Sequence, residues 1–430
     1  MPRHESTGLV RAIGRWSLAA LVVNSVIGSA IFGLPSVIAR MLGRRSPWAV
    51  LLAGLAVGVI VACFAEVASR FSEGGGPYLY AREAFGRFIG IETGWVFWLA
   101  RLTAPAANAN LFVIYLGEFW PRAGQPMPRF VMITLLIGVL AWVNLRGVRA
   151  GMQVSNVFTV AKLAPLVVVA VAGAWYVLAK HPLTPAPVPA GPGAWLKAML
   201  LLVFAYGGFE AALTPMSEAS NPQRDVAFGL FAALITCTVL YTVMQFAVVF
   251  ALPDAAHSAR PVADLARLVF GPVGAALTAI GALLSVYGYL SANMLAVPRI
   301  TYALSEQGDF PPIFSAVHSR HHTPYFSILV FALLTWLLAL LGSFDWNLTL
   351  SAVARLFYYG LVCVSLPVFR RRQPEGAVFR LPGGILLSVL GTLVCVVLIT
   401  RVDLSGSLIL IGTVSVALIN WLWVRKKAAA

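Results

Sequence analysis

The chain has 430 residues, of which 60% are hydrophobic and only 11% charged. A soluble domain carries roughly 25% charged residues, so this chain cannot cover itself with a solvated surface, and its long apolar runs predict an all-α integral membrane protein. The net charge of +15 is scattered between those runs and forms no aromatic-interleaved basic face, which argues against nucleic-acid binding and for loop charge that sets topology.

The apolar runs are continuous, not the short alternating segments of a membrane β-barrel. In chain order they predict about twelve spans. The first six run from Trp16 to Met41, Pro47 to Ser69, Phe88 to Trp120, Phe130 to Leu145, Val154 to Ala179 and Trp195 to Glu218. The rest run from Val226 to Leu252, Val273 to Leu304, Tyr325 to Leu341, Trp346 to Phe369, Ile385 to Thr400 and Leu404 to Val424. The third is long for one crossing, which implies tilt or a helical extension beyond the bilayer. The first is itself long enough to span and no small-residue cleavage site follows it, so no cleavable signal peptide is expected.

An even number of spans places both termini on one side. With that side as the cytoplasm, the inner segments carry 18 Lys and Arg against 10 outside, and Arg101, Lys162 and Arg355 fall within spans. The excess favours cytoplasmic N- and C-termini, although Arg40, Arg44 and Arg45 oppose it. Cys63, Cys237, Cys363 and Cys395 lie in apolar runs without CxxC spacing, so neither a disulfide framework nor a metal site is expected.

The stretch His181 to Gly193 (HPLTPAPVPAGPG) reads as an extended linker on the outer side. Five spans precede it, five follow, and two more close the chain. The predicted units are therefore residues 1–180, the linker 181–193, residues 194–372, and residues 373–430 with the final pair and tail.

Each five-span half opens on an interrupted helix. The first span contains Gly28-Ser29-Ala30-Ile31-Phe32-Gly33-Leu34-Pro35, and the sixth Phe204-Ala205-Tyr206-Gly207-Gly208-Phe209-Glu210. Glycine weakens a helix interior, and proline removes a donor and crowds the preceding turn. Backbone groups freed at membrane depth cannot face lipid, so they line a protein-enclosed cavity. Matched interruptions in two halves are the best pointer in sequence to a transport site. Freed N–H groups suit a carboxylate and freed carbonyls an ammonium, which together describe a site for a zwitterion.

Gly28-Ser29-Ala30-Ile31-Phe32 resembles the GSGIF motif of the amino acid–polyamine–organocation transporter superfamily. Phe204 to Glu210, with Glu218, Asn221-Pro222 and Arg224-Asp225, resembles its sixth span and following loop. Gly74-Gly75-Gly76-Pro77-Tyr78-Leu79-Tyr80 is similar to the loop before its third span, and Arg299 to Pro324 (with Gly308-Asp309-Phe310-Pro311) to the loop after its eighth. The ordered set covers nearly the whole chain. The resemblance implies two inverted five-helix repeats with unwound helices 1 and 6, as in sodium-coupled leucine transporters, plus two C-terminal helices. It implies alternating access around a midplane site in the cell (inner) membrane.

By the same resemblance, the substrate carboxylate meets the backbone at Ser29, Ala30 and Ile31. The amine meets carbonyls near Phe204, Ala205 and Gly207, with Phe204 as an aromatic gate. Ala30 stands where the family usually has glycine, which narrows the site by a methyl group.

Ionisable residues at mid-depth are functional candidates by default. Lys162 resembles the lysine that stands in place of a sodium ion in relatives, bridging a carbonyl near Gly28 and the hydroxyl of Ser285. It reads either as a proton carrier or as a fixed charge, and both readings oppose sodium coupling. Glu210 resembles a carboxylate implicated in gating and pH sensing; a structural hydrogen bond is the other reading. Arg101 either pairs with Glu210 or reads an anionic group on the substrate. Arg355 reads as a snorkelling residue. Asn293 lies near where arginine/agmatine antiporters carry a stacking aromatic, which disfavours a cationic substrate. Tyr78, Tyr80, Tyr287 and Tyr289 read as packing or interface residues, and His318, His321 and His322 as a solvated loop.

No Walker A loop and no HExxH helix is present, so neither ATP drive nor an intramembrane metalloenzyme is indicated, and no cofactor is expected. The expected function is sodium-independent secondary transport of amino acids, proton-coupled or exchanging, with a neutral substrate placed before an acidic one. A polyamine or other organocation carrier and a non-transporting sensor are the alternatives.

Overall fold

The computed structural model describes residues 14–71, 75–146, 151–180, 191–210, 213 and 221–429, except for the side chains of 151–162 and 427–429. Every regular element among them is helical. In chain order these are α1 (Arg15–Val26), α2 (Ala30–Leu42), α3 (Ser46–Ala68), α4 (Gly76–Phe85), α5 (Arg87–Leu116), α6 (Pro126–Leu145) and α7 (Gly151–Lys180). They continue with α8 (Pro192–Tyr206), α9 (Pro222–Ala251), α10 (Pro261–Glu306), α11 (Tyr325–Leu341), α12 (Phe344–Arg372), α13 (Gly384–Ile399) and α14 (Leu404–Ala429).

Proline marks several of the starts. Pro126, Pro192, Pro222 and Pro261 each sit in the first turn, where a missing N–H costs nothing. Helix α10 bends at Gly271, whose φ of 75° lies outside the range of an α-helix.

Seven helical stretches among the described residues are long and apolar enough to cross a membrane: Ala30–Ala68, Pro126–Leu145, Leu163–Lys180, Pro222–Ala251, Pro261–Glu306, Phe344–Arg372 and Leu404–Lys426. Helices α8, α11 and α13 are apolar but shorter. Helix α5 is long enough but carries Glu92, Arg101, Asn108 and Asn110, all buried. It can hold them because it packs against α4, α10, α11, α12 and α14 instead of facing lipid.

The outer helices show the reverse pattern. Leu135, Val139 and Trp142 on α6, Val168, Val171 and Trp175 on α7, and Val389, Leu393 and Val396 on α13 are exposed. In water such bands would drive association; in a bilayer they are the surface that meets lipid.

Candidate functional site

The first helix interruption falls between α1 and α2. Ile27 turns out of the helix (φ −75°, ψ 92°), and the chain resumes helical form at Ala30. Ser29 precedes α2 without a side-chain cap, and its hydroxyl is buried with no hydrogen-bond partner. Its carbonyl accepts from the N–H groups of Phe32 and Gly33, at 3.1 and 3.2 Å. The N–H groups of Ala30 and Ile31 come earlier and find no acceptor among the described residues. Tyr241 of α9 donates to the carbonyl of Val26 at 3.2 Å, which satisfies one freed group at the end of α1. Pro35, expected to belong to the interruption, lies inside continuous α2. The break is at Ile27 to Ser29 because Gly28 is the weak point, whereas Pro35 is tolerated with its neighbouring backbone held by packing.

The second interruption ends α8. Gly207 is extended (φ −76°, ψ 164°) and Gly208 has φ 111°. Gly208 must be glycine twice over, since a Cβ there would also lie 2.3 Å from the carbonyl oxygen of Ser25. That near-contact brings the two interruptions together. In the continuation of the sixth predicted span, residues 211–212 and 214–220, including Glu218, lie outside the described residues.

Beyond Gly208, Glu210 is wholly buried and fully engaged. Its Oε1 accepts from Arg355 Nη1 and from the Tyr358 hydroxyl, both at 3.0 Å. Its Oε2 accepts from the Tyr359 hydroxyl at 2.8 Å and from the Gly208 N–H at 2.9 Å. Arg101 Nη2 approaches Oε1 at 3.9 Å, an ion pair but not a hydrogen bond.

Arg355 departs from expectation. It does not snorkel; it is 2% exposed and central to the site. Its guanidinium lies 5.6 Å from the Phe204 ring and so close to Gly207 that a Cβ there would be 1.9 Å from Nη1. The segment Phe204, Ala205, Gly207, expected to receive an amine, is thus already met by a cation of the protein. Helix α12 is buried along most of its length, so Arg355 has no path to a membrane surface.

Two interrupted helices joined at a buried charge cluster, inside a bundle with an apolar exterior, have the form of a membrane permeation site. Residues 13–424 match the sequence model of a family described as amino acid permease. The chain belongs to the amino acid permease family. It is a transporter and not an enzyme, and a multi-pass membrane protein.

Three similar proteins give the range of this permease's relatives. A methylthioribose transporter of Bacillus subtilis (strain 168) is 26% identical, over 88% of this chain and 85% of its own. A branched-chain amino acid permease of the same organism is 25% identical, over 91% of this chain and 88% of its own. An arginine/agmatine antiporter of Chlamydia abortus (strain DSM 27085 / S26/3) is 28% identical, over 79% of this chain and 74% of its own.

The permease brings Arg101, Phe204, Gly207 and Glu210 into one cluster, with Gly208 against the chain just before Gly28 and Ser29. Tyr289 of α10 lies 3.8 Å from where a Gly28 Cβ would be, and Ser285, one turn earlier, is buried with an unpartnered hydroxyl. The side chain of Lys162 lies outside the described residues. Asn293 donates to the carbonyl of Tyr289 at 2.9 Å, within its own helix.

Sequence reasoning missed Tyr358 and Tyr359. Their signal was spacing: Ser351, Arg355, Tyr358 and Tyr359 recur at i, i+4, i+7 and i+8 on one face of α12. Ser351 donates to the carbonyl of Ala100 at 3.2 Å, fixing that face against α5 beside Arg101.

At one end of the bundle, two further carboxylates are each held by two arginines. Asp309 accepts from Arg87 at 2.7 Å and Arg82 at 2.9 Å, and from the hydroxyl of Tyr78. Glu66 takes a two-point bond from Arg370, at 2.8 and 2.6 Å, a contact from Arg70 at 3.3 Å, and the Leu381 N–H at 2.8 Å. Tyr78 is therefore more than a packing residue; Tyr80 packs against Phe64 and Phe71 as expected.

Proposed function

We propose that this permease is a secondary active transporter that carries amino acids across the cell (inner) membrane by alternating access, without sodium, by proton coupling or exchange. The observation that carries the reading is the meeting of two helix interruptions at a buried, charged centre in an amino acid permease chain. The uncapped start of α2, with the N–H groups of Ala30 and Ile31 and the free hydroxyl of Ser29, suits a substrate carboxylate.

In this reading, residues 1–180 and 194–372 are two inverted five-helix repeats that rock about the centre. Residues 181–193 link them on the outer side, 181–190 lying outside the described residues and Pro192 and Gly193 already opening α8; residues 373–430 form the appended pair and tail, and both termini are cytoplasmic. Lys162 replaces a sodium ion near Gly28 and Ser285, as proton carrier or fixed charge. Phe204 gates the site. The relatives' named substrates include branched-chain amino acids, arginine with agmatine, and methylthioribose, so the family name does not select one class. Two arginines at the centre, Arg101 and Arg355, disfavour a polyamine or other organocation by like-charge repulsion. Neutral and acidic amino acids remain.

The test is reconstitution in liposomes and uptake of each of the twenty amino acids and putrescine, with and without an inward proton gradient. Uptake of amino acid is expected, and Lys162→Ala is expected to cut it severely. Dependence on the gradient marks proton coupling; dependence on internal amino acid marks exchange. If no amino acid moves, the reading fails.

A further inference from the structure

The two central arginines differ in what the protein gives them. Arg355 is engaged: Nη1 bonds Glu210 at 3.0 Å, its body packs on Gly207 and Phe204, and Nε lies 3.5 Å from the Ser351 hydroxyl. Arg101 is also buried, at 5% exposure, but donates no hydrogen bond to any described residue. Its Nε is buried without a partner, and its guanidinium sits over the Phe97 ring at 5.0 Å. A guanidinium offers five donors in a fixed fork. Burying it with one distant carboxylate and no acceptor is unfavourable unless another molecule supplies acceptors.

The charges lead to the same place. Glu210 is one negative charge facing two positive ones, so the described ionisable groups of the cluster sum to +1. A neutral amino acid is a zwitterion and leaves that surplus in place. A substrate with a second carboxylate removes it. The two carboxylates also have separate places: the uncapped start of α2 for one, and Arg101 for the other, linked through Glu210, Gly208 and Ser25.

We propose that Arg101 is the specificity-determining residue of this permease and that its fork receives a side-chain carboxylate, so that the preferred substrates are acidic amino acids. The proposal rests on the amino acid transport reading above and reverses the order of substrates expected from sequence. The reason is Arg355, which hydrogen-bonds Glu210 and leaves Arg101 an ion-pair contact with it but no hydrogen bond.

The test uses pairs of the same shape that differ in charge. Purified wild-type protein in liposomes is loaded with unlabelled L-aspartate, L-asparagine, L-glutamate or L-glutamine, and entry of the same labelled compound is followed. In at least one pair, the acid is expected to half-saturate entry at a concentration at least tenfold below its amide. Arg101→Gln is expected to reduce that acid-to-amide preference at least tenfold, and Arg101→Lys, which keeps the charge, to retain a preference for the acid.

Equal treatment of acid and amide by the wild-type protein, or movement of neutral amino acids alone, overturns the proposal and leaves amino acid transport standing. An acid preference that survives in Arg101→Gln overturns the role of Arg101. Failure of all twenty amino acids to move overturns both readings. If Arg101→Gln is not recovered in folded form, the wild-type pairs and Arg101→Lys still decide.

Discussion

The centre of this permease and one end of its bundle solve a similar problem in different ways. In both places a buried carboxylate meets two arginines. At the bundle end, every arginine hydrogen-bonds its carboxylate and most surplus donors are absorbed, Arg70 Nε excepted. Arg70 bonds the carbonyl of Gln373 at 2.7 Å, Arg370 that of Leu381 at 2.7 Å, and Arg87 that of Gly308 at 3.2 Å. Arg82 and Arg87 are also 32% and 41% exposed, so water serves them too. At the centre the Arg101 side chain is only 7% exposed, and it donates to no carbonyl among the described residues. A cluster whose arginines each hydrogen-bond a carboxylate is a fastening, even with Arg70 Nε left unpartnered; a cluster with one cation that donates to none of the described residues is prepared for something else. Three substitutions test this contrast, in decreasing order of expected effect on stability.

The largest effect is expected at Glu210. Glu210→Gln keeps the shape but leaves Arg355 and Arg101 buried without a counter-charge. Breaking a buried pair from one side costs about 3–5 kcal/mol. Thermal unfolding of the detergent-purified protein is expected to shift down accordingly, with uptake lost. Wild-type stability in Glu210→Gln would mean that the centre is neutralised by some other group.

A smaller loss is expected from Asp309→Asn. The carboxylate is buried but its arginines reach solvent, so they stay hydrated when it is removed. The charge-assisted bonds lost are worth about 1–2 kcal/mol after that hydration. The same unfolding measurement ranks it against Glu210→Gln. A loss as large as that of Glu210→Gln would erase the distinction between the two regions.

The smallest effect is expected from Arg101→Met. Replacing a poorly satisfied buried charge with an apolar side chain of similar length is often neutral or stabilising. The unfolding midpoint is expected to stay at the wild-type value or rise, while uptake falls. A destabilisation of several kcal/mol would make Arg101 a second fastening, equivalent to Arg355.

The membrane class, the positions of most helices and the two interruptions were legible in the sequence, because each depends on local composition. An apolar run declares a span wherever it lands, and Gly207-Gly208 weakens a helix whatever surrounds it. Helix α5 was legible as a helix, but not as the central one. Its Glu92, Arg101 and Asn110 look costly in a span until α4, α10, α11, α12 and α14 are seen to cover it.

The partners of the charges were decided by the tertiary structure alone. Arg355 and Glu210 lie 145 positions apart, and no local pattern distinguishes an arginine that snorkels from one that closes a buried pair. From sequence, Arg101 read as a partner of Glu210 or of the substrate and Arg355 as a snorkelling residue. Packing reversed their closeness to the carboxylate, because a guanidinium is satisfied by acceptors in space, and α12 brings Arg355 to Glu210 at hydrogen-bonding distance while α5 holds Arg101 about one ångström too far.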